Sequence, residues 1–273
     1  ESERQPVALT FVIDNSGSME QGGRLELVKR SLALLLRQLG WGDSVAVVKF
    51  SNRAALVTPM IPAARRGELE GLIQALPIEG GTNVEAGLRL GYEQALQNLA
   101  QSAVNRVILC SDGVGNIGET SAKGLLELVQ EARAKGIYLN TVGVGMGNHN
   151  DAFLEELADK GDGVCNYVDS DAEAKRVFVD GLASALQPIA RDVKIQVEFD
   201  PLQVESWRLL GYENRALREQ DFRNDAIDAG EVNAGHQVTA LYELVRRPSR
   251  SGPLATVRLR YKPPFAIDQG REG

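Results

Sequence analysis

The run Val7-Ala8-Leu9-Thr10-Phe11-Val12-Ile13 passes without a break into Asp14-Asn15-Ser16-Gly17-Ser18. The first part is apolar throughout except for Thr10 and is rich in β-branched and aromatic residues, the character of a strand buried on both faces. The second part sets one carboxylate and two hydroxyls on a tight loop at the carboxyl end of that strand. Open α/β sheets bind ligands at that edge.

Outward from this stretch, short apolar runs alternate with amphipathic stretches as far as about Ile189. The further runs are Ser44 to Phe50, Arg106 to Cys110, Ile137 to Val144 and Val164 to Val168. Between the first two, Leu25, Val28, Leu32, Leu35, Leu36 and Leu39 recur at helical spacing and stop at Gly40. Later helices are predicted from Asn83 to Leu99, Ser121 to Lys135, Asp151 to Lys160 and Asp171 to Leu186. Strand and helix in alternation predict a doubly wound, mostly parallel sheet with helices on both faces.

After Pro188 strand follows strand: Val193 to Phe199, Trp207 to Tyr212, Gln237 to Val245 and Thr256 to Tyr261. The division expected is a first domain over residues 1–190 and a smaller antiparallel β domain over residues 191–273. At about 80 residues the second lies near the lower limit for a stable sandwich. It is read as incomplete, lacking strands from other parts of a longer protein.

A formal net charge of -7 repels phosphate backbones and anionic lipid, which argues against nucleic acid as a partner. No apolar run is long enough to cross a membrane as a helix, and Glu1–Pro6 resembles no signal peptide, so any targeting segment has been removed. Cys110 and Cys165 lack metal-type spacing and are expected to be free, partly buried thiols.

The D-x-S-x-S pattern of Asp14, Ser16 and Ser18 directly after a strand resembles the metal ion-dependent adhesion site of von Willebrand factor A (VWA) domains. That family takes a Thr from a loop before a later helix and an Asp from the end of the fourth strand. Gly80-Gly81-Thr82-Asn83 and Val107-Ile108-Leu109-Cys110-Ser111-Asp112-Gly113 supply both in the right order. The resemblance implies that Ser16, Ser18 and Thr82 touch a divalent cation through their hydroxyls, with Asp14 and Asp112 acting mostly through water. Hard oxygen donors suit Mg²⁺ first, with Mn²⁺ or Ca²⁺ as alternatives, and suit soft metals poorly. The family's strand order also sets Cys110 and Cys165 two strands apart, beyond disulfide reach.

Each of these residues has an ordinary reading when taken alone. Thr82 with Glu85 is a capping box, Ser16-Gly17-Ser18 a turn, and Asp112-Gly113 a common turn pair. Their joint placement at the edge of one sheet is what favours the metal. Gly113-Val114-Gly115-Asn116-Ile117-Gly118 matches a dinucleotide fingerprint, but on the wrong strand and without the acid that should follow. His149 reads as part of a helix entry, and His236 has no nucleophile near it in the sequence. Asp221, Asp225, Asp228 and Glu231 read as a solvated acidic turn, since Arg223 and Ala226 break the calcium-loop pattern.

The resemblance extends further. Gly211-Tyr212-Glu213-Asn214-Arg215, Asp228-Ala229-Gly230-Glu231 and Gly235 to Glu243 are similar to stretches of uncharacterised bacterial VWA lipoproteins with a C-terminal domain of unknown function. That likeness implies a binding or adhesion module of the bacterial cell envelope, periplasmic or at the surface, with a lipid anchor upstream and a protein partner offering an exposed Asp or Glu. Catalysis is not expected, because no general base accompanies the hydroxyls. A cytoplasmic VWA subunit serving an ATPase-driven assembly machine is the alternative, against which the C-terminal β domain argues.

Overall fold

The computed structural model describes residues 5–113, 122–145, 151–181, 188–210, 221–224, 232–233, 239–247 and 252–263. The chain divides into two compact units, residues 1–187 and 188–273.

The first unit is built on a six-stranded sheet. Its strands are β1 (Val7–Asp14), β2 (Ser44–Phe50), β3 (Ala54–Pro62), β4 (Val104–Ser111), β5 (Ile137–Val144) and β6 (Cys165–Val168), in the order β3-β2-β1-β4-β5-β6. All pairings are parallel except β2 with β3. The chain therefore leaves β1 on one side and returns to its other side at β4. That reversal opens a crevice at the carboxyl ends of β1 and β4, the usual ligand position in such sheets.

Among the described residues the α-helices flanking the sheet are α1 (Arg24–Leu36), α2 (Arg66–Gln74), α3 (Val84–Gln97), α4 (Ala122–Ala134), α5 (Asp151–Lys160) and α6 (Asp171–Lys175). Successive strand residues point to opposite faces, so two apolar clusters form. Leu9, Phe11 and Ile13 pack with Leu25, Leu32 and Leu35 of α1, Leu69 of α2 and Ala174 of α6. Val12, Val107 and Leu109 pack with Leu88 and Tyr92 of α3, Val129 of α4 and Leu157 of α5. A strand lined on both faces needs the unbroken apolar run seen in the sequence.

Some boundaries differ from those expected. The helix expected to stop at Gly40 ends at Leu36, and the turn beyond it is held by Asp43, whose carboxylate accepts from Gly40 N (2.6 Å) and Val7 N (2.9 Å). The helix expected from Asp171 to Leu186 is α-helical only to Lys175, continues as a π-turn to Gly181, and then runs into residues outside those described.

The second unit has β7 (Pro188–Phe199) paired antiparallel with β11 (Ala255–Lys262) and β9 (Val232–Asn233), and β8 (Val204–Leu210) paired antiparallel with β10 (Leu241–Arg246). Phe199 of β7 meets Trp207 of β8 and Tyr242 of β10, each at 5.3 Å between ring centroids, which joins the two sheets of this unit.

Candidate metal centre

Asp14 is the last residue of β1 and Ser111 the last of β4, and the register Ile13 opposite Cys110 sets them side by side. Ser111 Oγ donates to Asp14 Oδ2 at 2.7 Å, and Ser16 N donates to Asp14 Oδ1 at 2.9 Å. Ser16 and Ser18 lie 3.1 Å apart through their hydroxyl oxygens. Asp14, Ser16 and Ser111 are fully buried and Asp112 nearly so, while Ser18 stands half-exposed at the rim.

The loop bearing Thr82 is laced to the first loop by its backbone. Glu79 N donates to Asn15 O (2.7 Å), Gly17 N donates to Gly80 O (2.8 Å), and Asn15 Nδ2 donates to Pro77 O (2.8 Å). The end of β2 holds the same loop from the other side, through Asn83 N to Ser51 O at 2.7 Å and Gly81 N to Asn52 Oδ1 at 2.8 Å. Thr82 is not the cap of α3. Asn83 is, its side chain accepting from Ala86 N at 3.0 Å, while Glu85 pairs with Arg89. The capping role that would explain Thr82 without a ligand thus belongs to its neighbour.

Asp112, just past β4, accepts from Arg24 Nη1 at 2.7 Å, and the same nitrogen donates to Ser18 O at 3.3 Å. One hydrogen-bonded chain therefore runs Ser111, Asp14, Ser16, Ser18, Arg24, Asp112, linking four of the five residues expected at a metal. The fifth, Thr82, lies on the loop whose residues Pro77, Glu79 and Gly80 are hydrogen-bonded to the turn of residues 15–17. Arg24 also lines a cavity of about 510 Å³ with Gln21, Gly22, Leu27, Gly145, Asp169 and Ser170.

Burial is the leading electrostatic fact. It raises the Asp14 carboxyl to about 6, against the hydrogen bonds of Ser16 and Ser111, and the charge of Asp112 adds to the rise. Its partners are neutral, and two acids share one water-poor edge. Cys110, one residue from Ser111 and fully buried, is pushed up to about 12 by desolvation and then by the charge of Asp14. Glu79 is held below the usual carboxylate range, first by its hydrogen bond from Lys49.

This donor set fits a hard divalent cation: oxygens only, two of them carboxylates, of which Asp14 is hydrogen-bonded by neutral groups and Asp112 is paired with Arg24. Among the described residues no three His, Cys, Asp or Glu side chains gather where they could hold a metal ion, so a cation here would rest on hydroxyl oxygens as well as the two carboxylates. Sequence reading missed Arg24, Ser111, Asn15 and the Lys49–Glu79 pair. Only Ser111 left a signal, as a hydroxyl at the strand end beside Asp112. Residues 114–118, His149, His236 and the acidic turn beyond Asn224 lie outside the described residues.

A sheet in this order, with this loop at its reversal point, defines the class. The chain belongs to the von Willebrand factor type A family, whose domain model matches residues 8–180. Residues 184–269 match a second model, the C-terminal region of the uncharacterised protein YfbK. The chain is 38% identical over 264 residues to YfbK of Escherichia coli (strain K12), which covers 96% of this chain and 45% of that protein. It thus spans less than half of that relative's length.

The fold recurs among solved structures. A von Willebrand factor type A protein from Catenulispora acidiphila superposes with a TM-score of 0.62 at 18% identity, over 95% of this chain and 63% of its own. Proximal thread matrix protein 1 from the mussel byssus, in a structure with a zinc-occupied MIDAS motif, has a TM-score of 0.54 at 21% identity, over 66% of this chain and 46% of its own.

Proposed function

We propose that Asp14, Ser16, Ser18, Thr82 and Asp112 hold one divalent cation, Mg²⁺ by the hardness of its donors, and that the ion captures a carboxylate of a protein partner. The observation that carries this reading is the buried Asp14 carboxylate, set against neutral hydroxyls at the sheet's reversal point with a second acid beside it. A bound cation supplies the missing charge and an electrophilic position for an outside oxygen. The chain's own residues would bind and orient it: Ser16, Ser18 and Thr82 through hydroxyls, Asp14 and Asp112 through charge. The zinc-occupied motif of the mussel protein supports a divalent ion at such a site without fixing which one.

The module binds and does not catalyse, and its place is the bacterial cell envelope, carried there by a lipid anchor in a longer protein. The resemblance of the sequence to bacterial VWA lipoproteins is what supports that location. Among the described residues no helix is long and apolar enough to cross a membrane. The metal domain takes residues 1–190 and the β domain residues 191–273. The β domain is incomplete in this reading: Ile195, Val257 and Leu259, on one face of β7 and β11, stay at least 60% exposed, an apolar face for further strands of a longer protein.

Affinity capture from an envelope fraction tests the proposal. Wild type should retain a partner in Mg²⁺ and release it in EDTA, and Asp112→Ala should retain nothing in either. Equal capture by wild type and Asp112→Ala would move the interaction surface away from the metal.

A further inference from the structure

Arg24 opens α1 and reaches back across the top of the sheet. Its Nη1 lies 2.7 Å from Asp112 Oδ2, whose side chain is fully buried, and the arginine side chain itself is only 17% exposed. The end of β5 leaves room for it. Gly145 adopts φ +92, and a Cβ there would fall 2.4 Å from Arg24 Nε and 2.9 Å from Cζ. Arg24 is therefore seated in a fitted place against an acid of the candidate metal centre.

We propose that Arg24 is a resident counter-ion that opposes the divalent cation and sets how tightly the site holds it. The inference rests on the cation-site reading above. Asp14 and Asp112 alone would offer a dication two negative charges. With the guanidinium bonded to Asp112 the site offers a net single charge, and the incoming ion meets a fixed cation across one carboxylate. Both charges are withdrawn from bulk water, so salt screens their repulsion little. Arginine does not deprotonate, which makes this antagonism independent of pH, unlike competition from protons at Asp14. In the metal-free protein the same contact sets a positive charge against the buried Asp112 carboxylate.

The test is calorimetric titration of Mg²⁺, with Mn²⁺ as a second probe, into the whole chain as wild type, Arg24→Gln and Arg24→Lys, alongside melting in EDTA. Arg24→Gln should bind Mg²⁺ at least about tenfold more tightly than wild type, at every pH above 7. It should melt lower than wild type in EDTA and regain that loss in excess Mg²⁺. Arg24→Lys, which keeps the charge, should stay within about threefold of wild type in affinity. A second measurement needs no variant: the side-chain Nε resonance of Arg24 in ¹⁵N-labelled wild type should shift as Mg²⁺ saturates the site. Equal or weaker binding by folded Arg24→Gln would overturn the proposal, as would an Nε resonance that ignores bound Mg²⁺. Wild type that binds neither ion would overturn the cation site itself, a failure separable from the first because it needs no variant to appear.

Discussion

Asp14 sits where a carboxylate is costly, and its titration follows from that. Its unfolded value is 3.8 and its folded value about 6, with burial the chief cause. A raised folded value means that the folded state holds the proton more tightly. The stabilising contribution is therefore full below about pH 4 and is lost as pH rises towards 6, on the order of 3 kcal/mol in total. Urea unfolding of metal-free wild type should show this fall between pH 4 and 6, and Asp14→Asn should remove it. Saturating Mg²⁺ should also flatten it, by replacing the proton with a cation. Parallel profiles for wild type and Asp14→Asn in EDTA would contradict the electrostatics described. At this scale the sequence was informative about which residues end strands and open loops, because polar side chains directly after an apolar run have few other places to go. It was silent about Arg24, which reads as an ordinary polar helix start and meets Asp112 across 88 positions of sequence.

Elements explain how closely the site is framed. The helix after Thr82, α3, lies against β1 and β2 through glycines. A Cβ at Gly91 would fall 2.4 Å from Val12 Cγ2, and one at Gly87 would fall 2.6 Å from the Phe50 ring. Helix propensity favours Gly91→Ala by about 1 kcal/mol, whereas overpacking a closed interface costs about 1 to 3 kcal/mol. Val12 is a fully buried, stiff side chain on a central strand, so crowding should win and Gly91→Ala should unfold at lower urea than wild type. A stabilised variant would show that α3 can ride outward. The inner parallel strands β1, β2, β4 and β5 were legible because strands buried on both faces carry largely apolar runs. β6, a half-buried edge strand, was legible only as a short run after a glycine-rich turn. β3 and α2 were not read. β3 holds Pro59 and Pro62 and exposes part of its length, features that weigh against a strand unless it is an edge, and its register with β2 shifts around Val47. Thr82 with Glu85 spells a capping box, but Asn83 one position later caps the helix through its own side chain.

For the whole molecule, strand order decides the fate of the thiols and the place of the site. Cys110 on β4 and Cys165 on β6 are separated by β5, and no disulfide joins them. Thiol titration should count two groups per denatured chain, while native Cys110, buried and raised to about 12, should resist alkylation at pH 8 until the chain unfolds. A disulfide, or fast modification of native Cys110, would contradict the sheet order or the packing around it. The same order puts Asp14 at the end of β1 and Asp112 just past the end of the neighbouring β4, at the reversal point where the two acids are proposed to share one cation. Calorimetric titration of Mg²⁺ into the metal-free chain, as wild type, Asp14→Ala and Thr82→Val, tests that most directly. Wild type should take up a single ion, Asp14→Ala none, and Thr82→Val should bind at least about tenfold more weakly with its melting temperature in EDTA unchanged. Identical isotherms for wild type and Asp14→Ala, or no saturable binding of Mg²⁺ or Mn²⁺ by wild type, would contradict it.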